Sequence, residues 1–126
     1  MIIILLGITF LQSNLVSGFN ISKYYNNPGG RGTSQIVKLN SGYIWYKRGK
    51  STLRISVILI NQIVDYIDKN IPKGTKVYVK DIINIKNTVN PNYKGWHNCD
   101  ATFIMMLLKY IRGNNIYGKK PVFIIA

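Results

Sequence analysis

Three runs decide the fold: Tyr43-Ile44-Trp45-Tyr46-Lys47, then Val57-Ile58-Leu59-Ile60-Asn61-Gln62-Ile63-Val64-Asp65-Tyr66-Ile67-Asp68-Lys69, then Lys76-Val77-Tyr78-Val79-Lys80. The first places Tyr43, Trp45 and Lys47 on one face and Ile44 and Tyr46 on the other, the period of two that marks a strand. The third alternates in the same way. In the middle run Val57, Ile60, Ile63, Val64 and Ile67 recur at helical spacing, with Asn61, Asp65 and Asp68 on the opposite side. Ser56 is placed to cap that helix and Ile71-Pro72-Lys73-Gly74 to end it. Strand, helix and strand with short connectors predict a βαβ-like unit, with 43–47 and 76–80 as parallel neighbours.

Working outward, Gln35–Leu39 is a second strand, joined to Tyr43–Lys47 by the hairpin signal Asn40-Ser41-Gly42. Upstream, 19–33 contains Asn26-Asn27-Pro28-Gly29-Gly30-Arg31-Gly32, a loop composition. It lacks the Gly-Lys-Ser/Thr ending of a phosphate-cradling loop and reads as a flexible connection. Downstream, 84–98 is polar and reads as loop. A second helix runs from about Ala101 to Arg112 on a stripe of Phe103, Ile104, Leu107, Leu108 and Ile111, with Asp100 or Asn98 as cap and Gly113 as stop. Pro121 to Ala126 reads as a buried closing strand. The expected fold class is α/β, or α+β: a small mixed sheet with two amphipathic helices, forming one domain over 19–126.

Residues 1–18 differ in kind. Ile2 to Leu11 is almost wholly apolar, no charge precedes Lys23, and Val16-Ser17-Gly18 offers small residues at cleavage spacing. The run is shorter than the roughly 20 residues a membrane-spanning helix needs. This is the layout of a secretory signal peptide without a basic n-region, and it predicts a secreted or extracytoplasmic protein. The single cysteine, Cys99, excludes an internal disulfide, so the domain relies on its core or on a bound partner.

Charge is the strongest global signal. Seventeen Lys and Arg face four Asp and no Glu, for a net charge of +13. A folded body this cationic attracts polyanions, among them nucleic acid, glycan, cell-wall polymer and anionic membrane surfaces. The competing source of the charge is genome composition, since fourteen Asn and thirteen Lys against four Arg are what AT-rich codons produce.

Chemistry has one obvious address. His97, Cys99 and Asp100 lie together just before a helix, where free backbone N–H groups lower thiol pKa and bind anions. A Cys–His nucleophile needs the pair in hydrogen-bond reach, which residues two apart rarely achieve. A zinc site drawing on His97 and Asp100, with Cys99 or Asp81, lacks the second histidine of most catalytic zinc centres. A ribonuclease-like arrangement offers one acid–base group, His97, with Lys or Arg to hold phosphate. The structural alternative is that Asp100 caps the helix, Cys99 is buried and His97 sits in a loop beside Trp96.

From Asn40 to Ile104 the order of features resembles the penicillin-insensitive murein endopeptidases, zinc peptidases that cut peptidoglycan cross-links. Gly42-Tyr43, the basic turn over 47–54, the helix over 57–69, the turn over 72–74, a strand over 77–81 and the loop over 84–98 follow that family's order. The resemblance implies a shared frame with a lost metal site. Asp100-Ala101-Thr102 falls where the family's Asp-x-Asp does, with Thr102 in place of the ligand and Gly95 where the first histidine stands. His97 is displaced by two residues.

A binding role draws on other residues. Lys47, Arg48, Lys50 and Arg54 beside Tyr43 and Trp45 combine cations with aromatic faces, which suits single-stranded nucleic acid or sugar polymers. The sequence therefore predicts a secreted cationic domain that binds an anionic or carbohydrate polymer without catalysis. The alternative is a small hydrolase centred on His97 and Asp100.

Overall fold

A computed structural model describes residues 23–30, 32–39 and 42–125, and the proposed signal peptide over 1–18 lies outside them. The fold is α+β. Strands β1 (Tyr24–Asn26), β2 (Thr33–Leu39), β3 (Tyr43–Arg48) and β4 (Ser51–Ser56) form one sheet in chain order, each pair antiparallel. Helices α1 (Val57–Asn70), α2 (Val79–Val89) and α3 (Asn98–Arg112) follow, and β5 (Lys76–Tyr78) pairs antiparallel with β6 (Val122–Ile124) as a second, two-stranded sheet.

The parallel neighbours expected over 43–47 and 76–80 are not formed. The chain after β3 turns back at Gly49-Lys50, where Gly49 takes φ +58°, and runs antiparallel as β4, with Arg48 opposite Ser51. That edge of β3 is then filled before the helix begins, and β5 finds its partner in the C-terminal strand. The expected loop over 84–98 is helix as far as Val89. Strand β5 ends at Tyr78, and Val79 opens α2 instead of continuing the alternation. Within 19–33, β1 adds an edge strand that the loop composition hid.

One face of the large sheet is buried. Tyr25, Ser34, Ile36, Ile44, Tyr46 and Ile55 point inward, Tyr25 and Tyr46 onto Tyr110 and Phe103 of helix α3, whose residues 101–108 are all buried. A helix buried on every side is a core element rather than an amphipathic surface one. Helix α1 begins at Ser56, whose Oγ accepts the Leu59 N–H at 3.3 Å, as the sequence predicts. It buries Val57, Leu59, Ile60, Ile63 and Ile67, and also Asn61, which the periodicity had put on the polar side. Gly113 ends α3 in the left-handed region at φ +72°. Gly29, at φ +76°, packs so closely that a Cβ there would meet the Lys119 carbonyl oxygen and Pro121 Cγ at 2.8 Å. Among the described residues no helix is long and apolar enough to cross a membrane.

Candidate binding face and the start of helix α3

The outward face of the sheet is built by register. Cross-strand partners share a face. Lys38, Trp45 and Arg54 therefore form one row across β2, β3 and β4, and Tyr24, Gln35, Lys47 and Thr52 form the next. Tyr43 lies beyond Trp45 on β3, opposite Ser56. Strict alternation from Ile36 would turn Lys38 into the core. Val37 is instead an extra residue at a β-bulge, because Ile36 pairs with Tyr46 and Lys38 with the adjacent Trp45. The bulge shifts the phase by one, which sends Lys38 outward and Leu39 inward.

Cations and rings are in contact on this face. Lys38 Nζ stands 4.9 Å from the centre of the Trp45 ring, and the Arg54 guanidinium 4.4 Å from that of Tyr43. The two rings lie 5.6 Å apart at 57°. Such contacts are worth about 0.5–1 kcal/mol each at exposed sites. They hold two long, mobile side chains over fixed planes. The strands themselves carry no acidic residue: from Lys23 to Val64 the chain has no Asp or Glu, the four being Asp65, Asp68, Asp81 and Asp100.

Of the residues singled out in the sequence, Tyr43, Trp45, Lys47 and Arg54 share this face. Lys50 is at the exposed tip of the β3–β4 turn. Arg48 has the parity of Tyr46 and belongs to the opposite side. Lys38 and Tyr24 were not singled out. The bulge that brings Lys38 out has no local sequence signature, and Tyr24, 62% exposed, sits on a three-residue strand.

The start of α3 uses its polar groups differently. His97 itself is the N-cap, not Asp100 or Asn98: its Nδ1 accepts the Cys99 N–H at 3.0 Å. Asp100, fully buried at the third helical position, accepts the His97 backbone N–H on Oδ2 at 2.9 Å, completing a capping box. Its Oδ1 accepts the hydroxyl of Tyr46, which is also fully buried and lies flat on Phe103 with ring centres 3.9 Å apart. Burial raises the Asp100 carboxyl above the ordinary carboxylate range, against the lowering effect of the Tyr46 and His97 hydrogen bonds. Burial, together with the Asp100 carboxylate, drives the Tyr46 phenol far above its ordinary value.

These residues do not fit a zinc ion. Both Asp100 oxygens and His97 Nδ1 hold backbone or phenol donors, and Asp81 accepts the Tyr78 N–H at 2.8 Å at the start of α2. Among the described residues no group of three His, Cys or Asp side chains converges to hold a metal. Cys99 is half-buried against the core. Trp96 packs under Lys86, whose Nζ lies 5.7 Å from the ring centre, and the Tyr93 hydroxyl accepts the Ser56 N–H at 3.1 Å. The segment from Tyr93 to Asp100 thus ties α3 to the sheet, to α2 and to the cap of α1.

No family model, no curated protein and no solved structure matches the chain.

Proposed function

We propose that this is an exported protein that binds an anionic polymer on the outer face of its four-stranded sheet, without cleaving it. The observation that carries the reading is the row Lys38–Trp45–Arg54. Its two cations are steadied over aromatic rings, on a stretch of chain with no acidic residue. Genome composition accounts for abundant lysine. It does not account for a bulge that brings one lysine onto a tryptophan, or for the confinement of every Asp to the second half of the chain. Uncharged carbohydrate is less well served, because it offers no negative charge for the cations of Lys38, Lys47 and Arg54 to meet. Export is supported by the apolar run over 2–11 and the small residues at 16–18.

The test is binding to a heparin column and to nucleic acid across a salt gradient. A charge-driven site loses affinity steeply as salt rises. The triple substitution Lys38→Ala, Lys47→Ala, Arg54→Ala is expected to elute at much lower salt than the parent. Lys69→Ala, Lys73→Ala, Lys119→Ala, which removes the same charge elsewhere, is expected to change elution far less. Equal losses from both sets would remove the face from the reading, and absence of retention at low salt would remove polyanion binding altogether.

A further inference from the structure

We propose that the polymer bound on this face is single-stranded nucleic acid, read through base stacking as well as charge. The inference rests on the polyanion reading above and adds to it the chemical class of the ligand.

The face offers flat groups and cations in the same rows. Strands in a sheet lie about 4.8 Å apart, and successive outward side chains along one strand are about 7 Å apart. Lys38 and Arg54 therefore flank Trp45 on either side, while Tyr43 and Lys47 lie one step up and down the same strand. A polyanion without aromatic rings uses the cations alone, and the aromatic residues then serve only to steady them. Nucleic-acid bases use both, since every base has a π-face and single strands leave it free. A four-stranded sheet with aromatic residues on its open face is a physical platform on which two or three splayed bases stack. The Arg54 guanidinium, 4.4 Å from the centre of the Tyr43 ring, adds a further flat cationic group of the kind on which bases stack in RNA recognition. Tyr24 adds a further exposed ring beyond Gln35, in the row of Lys47.

Duplex DNA and membranes fit less well. Reading a duplex needs a helix or ribbon that enters a groove about 12 Å wide, whereas this face is the broad side of a sheet. Trp45 and Tyr43 are half-covered by their neighbours and do not protrude as rings that enter a lipid surface do.

The experiment is a fluorescence titration of the full chain, lacking only residues 1–18, in a Trp96→Phe background, so that Trp45 is the sole tryptophan. The probes are oligothymidylate of twelve residues, a duplex of the same length, a heparin fragment of matched charge, and vesicles of phosphatidylglycerol and phosphatidylcholine. Oligothymidylate is expected to quench Trp45 and to bind at least tenfold more tightly than the other three at about 0.15 M salt. Trp45→Leu, followed by anisotropy of labelled oligothymidylate, is expected to weaken binding about tenfold with an unchanged salt slope. Arg54→Gln is expected to reduce the slope by about 0.7. Tyr24→Leu, at a site exposed enough that folding is indifferent to it, is expected to weaken binding about threefold. It gives the same test should Trp45→Leu fail to fold.

Equal affinity for heparin or vesicles, with Trp45→Leu and Tyr24→Leu both silent, overturns the nucleic-acid assignment and leaves polyanion binding standing. Equal affinity for the duplex overturns the single-strand assignment. Failure of every probe to bind at low salt overturns both readings together.

Discussion

Two regions of this molecule carry polar and charged groups on regular backbone, a sheet and a helix start, and they use them in opposite ways. At the start of α3, His97 and Asp100 are consumed by the fold: two backbone N–H groups and one buried phenol take up His97 Nδ1 and both Asp100 oxygens. On the outer face of the sheet, Lys38 and Arg54 stand against aromatic rings and remain exposed, with their charge facing solvent. Residue types that suggest catalysis therefore mark the structural site, and an ordinary alternating strand marks the site open to a ligand. The difference lies in burial. A carboxylate at zero exposure must be satisfied internally, and once satisfied it has little left to offer a substrate.

Asp100→Ala is expected to have the largest effect. It strands the buried Tyr46 hydroxyl, at about 1–3 kcal/mol, and removes the capping partner of the part-buried His97 N–H, worth about 1 kcal/mol. A loss of about 3 kcal/mol is expected, lowering the melting temperature by more than 10 °C for a domain of this size. At temperatures where the variant is folded, polymer binding is expected to be unchanged. Lost binding with intact stability would make the α3 start a functional site after all.

Tyr46→Phe is the milder form of the same test. It keeps the stack on Phe103 and removes one hydrogen bond, so about 1–2 kcal/mol is expected. It also sharpens the pH dependence. Asp100 has a carboxyl pKa raised in the folded state, so its contribution to stability is fully present below the ordinary carboxylate range and is lost as pH rises through the raised folded value. The Tyr46 hydrogen bond lowers the Asp100 pKa, and Phe at that position moves the window of loss to still higher pH. Denaturant unfolding followed between pH 4 and 8 measures both effects. A variant whose stability has the same pH profile as the parent would show that Asp100 does not feel the phenol.

How much of this was legible in the sequence depended on whether the signal was local. Helix α1, its Ser56 cap, the β2–β3 hairpin and the body of α3 announce themselves by periodicity and punctuation. Strand β4 was hidden because Lys47-Arg48-Gly49-Lys50 reads as a charge run. The usable signal was Gly49 in a two-residue turn followed by Leu53, Ile55 and Val57 on alternate positions. Helix α2 was hidden because Ile and Asn are poor helix formers and Lys76–Lys80 alternates one residue too far. Ile82, Ile85, Lys86 and Val89 nonetheless recur at helical spacing. The Tyr46–Asp100 bond joins positions 54 apart and the bulge at Val37 is a matter of register. Neither leaves a local trace, and so the structural role of Asp100 and the membership of Lys38 were the parts the chain alone did not reveal.

A smaller effect separates cap from catalyst at His97. Removing a side-chain N-cap acceptor costs about 1 kcal/mol, which is the expectation for His97→Ala. Asn is among the best N-cap residues, so His97→Asn is expected to restore stability fully, read by thermal melting, with polymer binding equal to the parent in both variants. A site that used imidazole chemistry would not be rescued by Asn.

The smallest expected effect comes from deleting Val37, and it tests what the bulge does. Val37 is the extra residue opposite the Tyr46–Trp45 step. Taking it out lets Lys38 follow Ile36 directly in a regular ladder, with Lys38 still outward and Leu39 still inward. Val37 is itself 37% exposed, so little packing is lost, and its removal closes the ladder without leaving a group unpaired, so a change of about 1 kcal/mol or less is expected. If the bulge serves only to set phase, salt-dependent binding survives the deletion within about twofold, as phosphate contacts tolerate small shifts of a long side chain. A bulge also adds local twist. Loss of binding with stability intact would mean that this twist, and not register alone, holds Lys38 over Trp45.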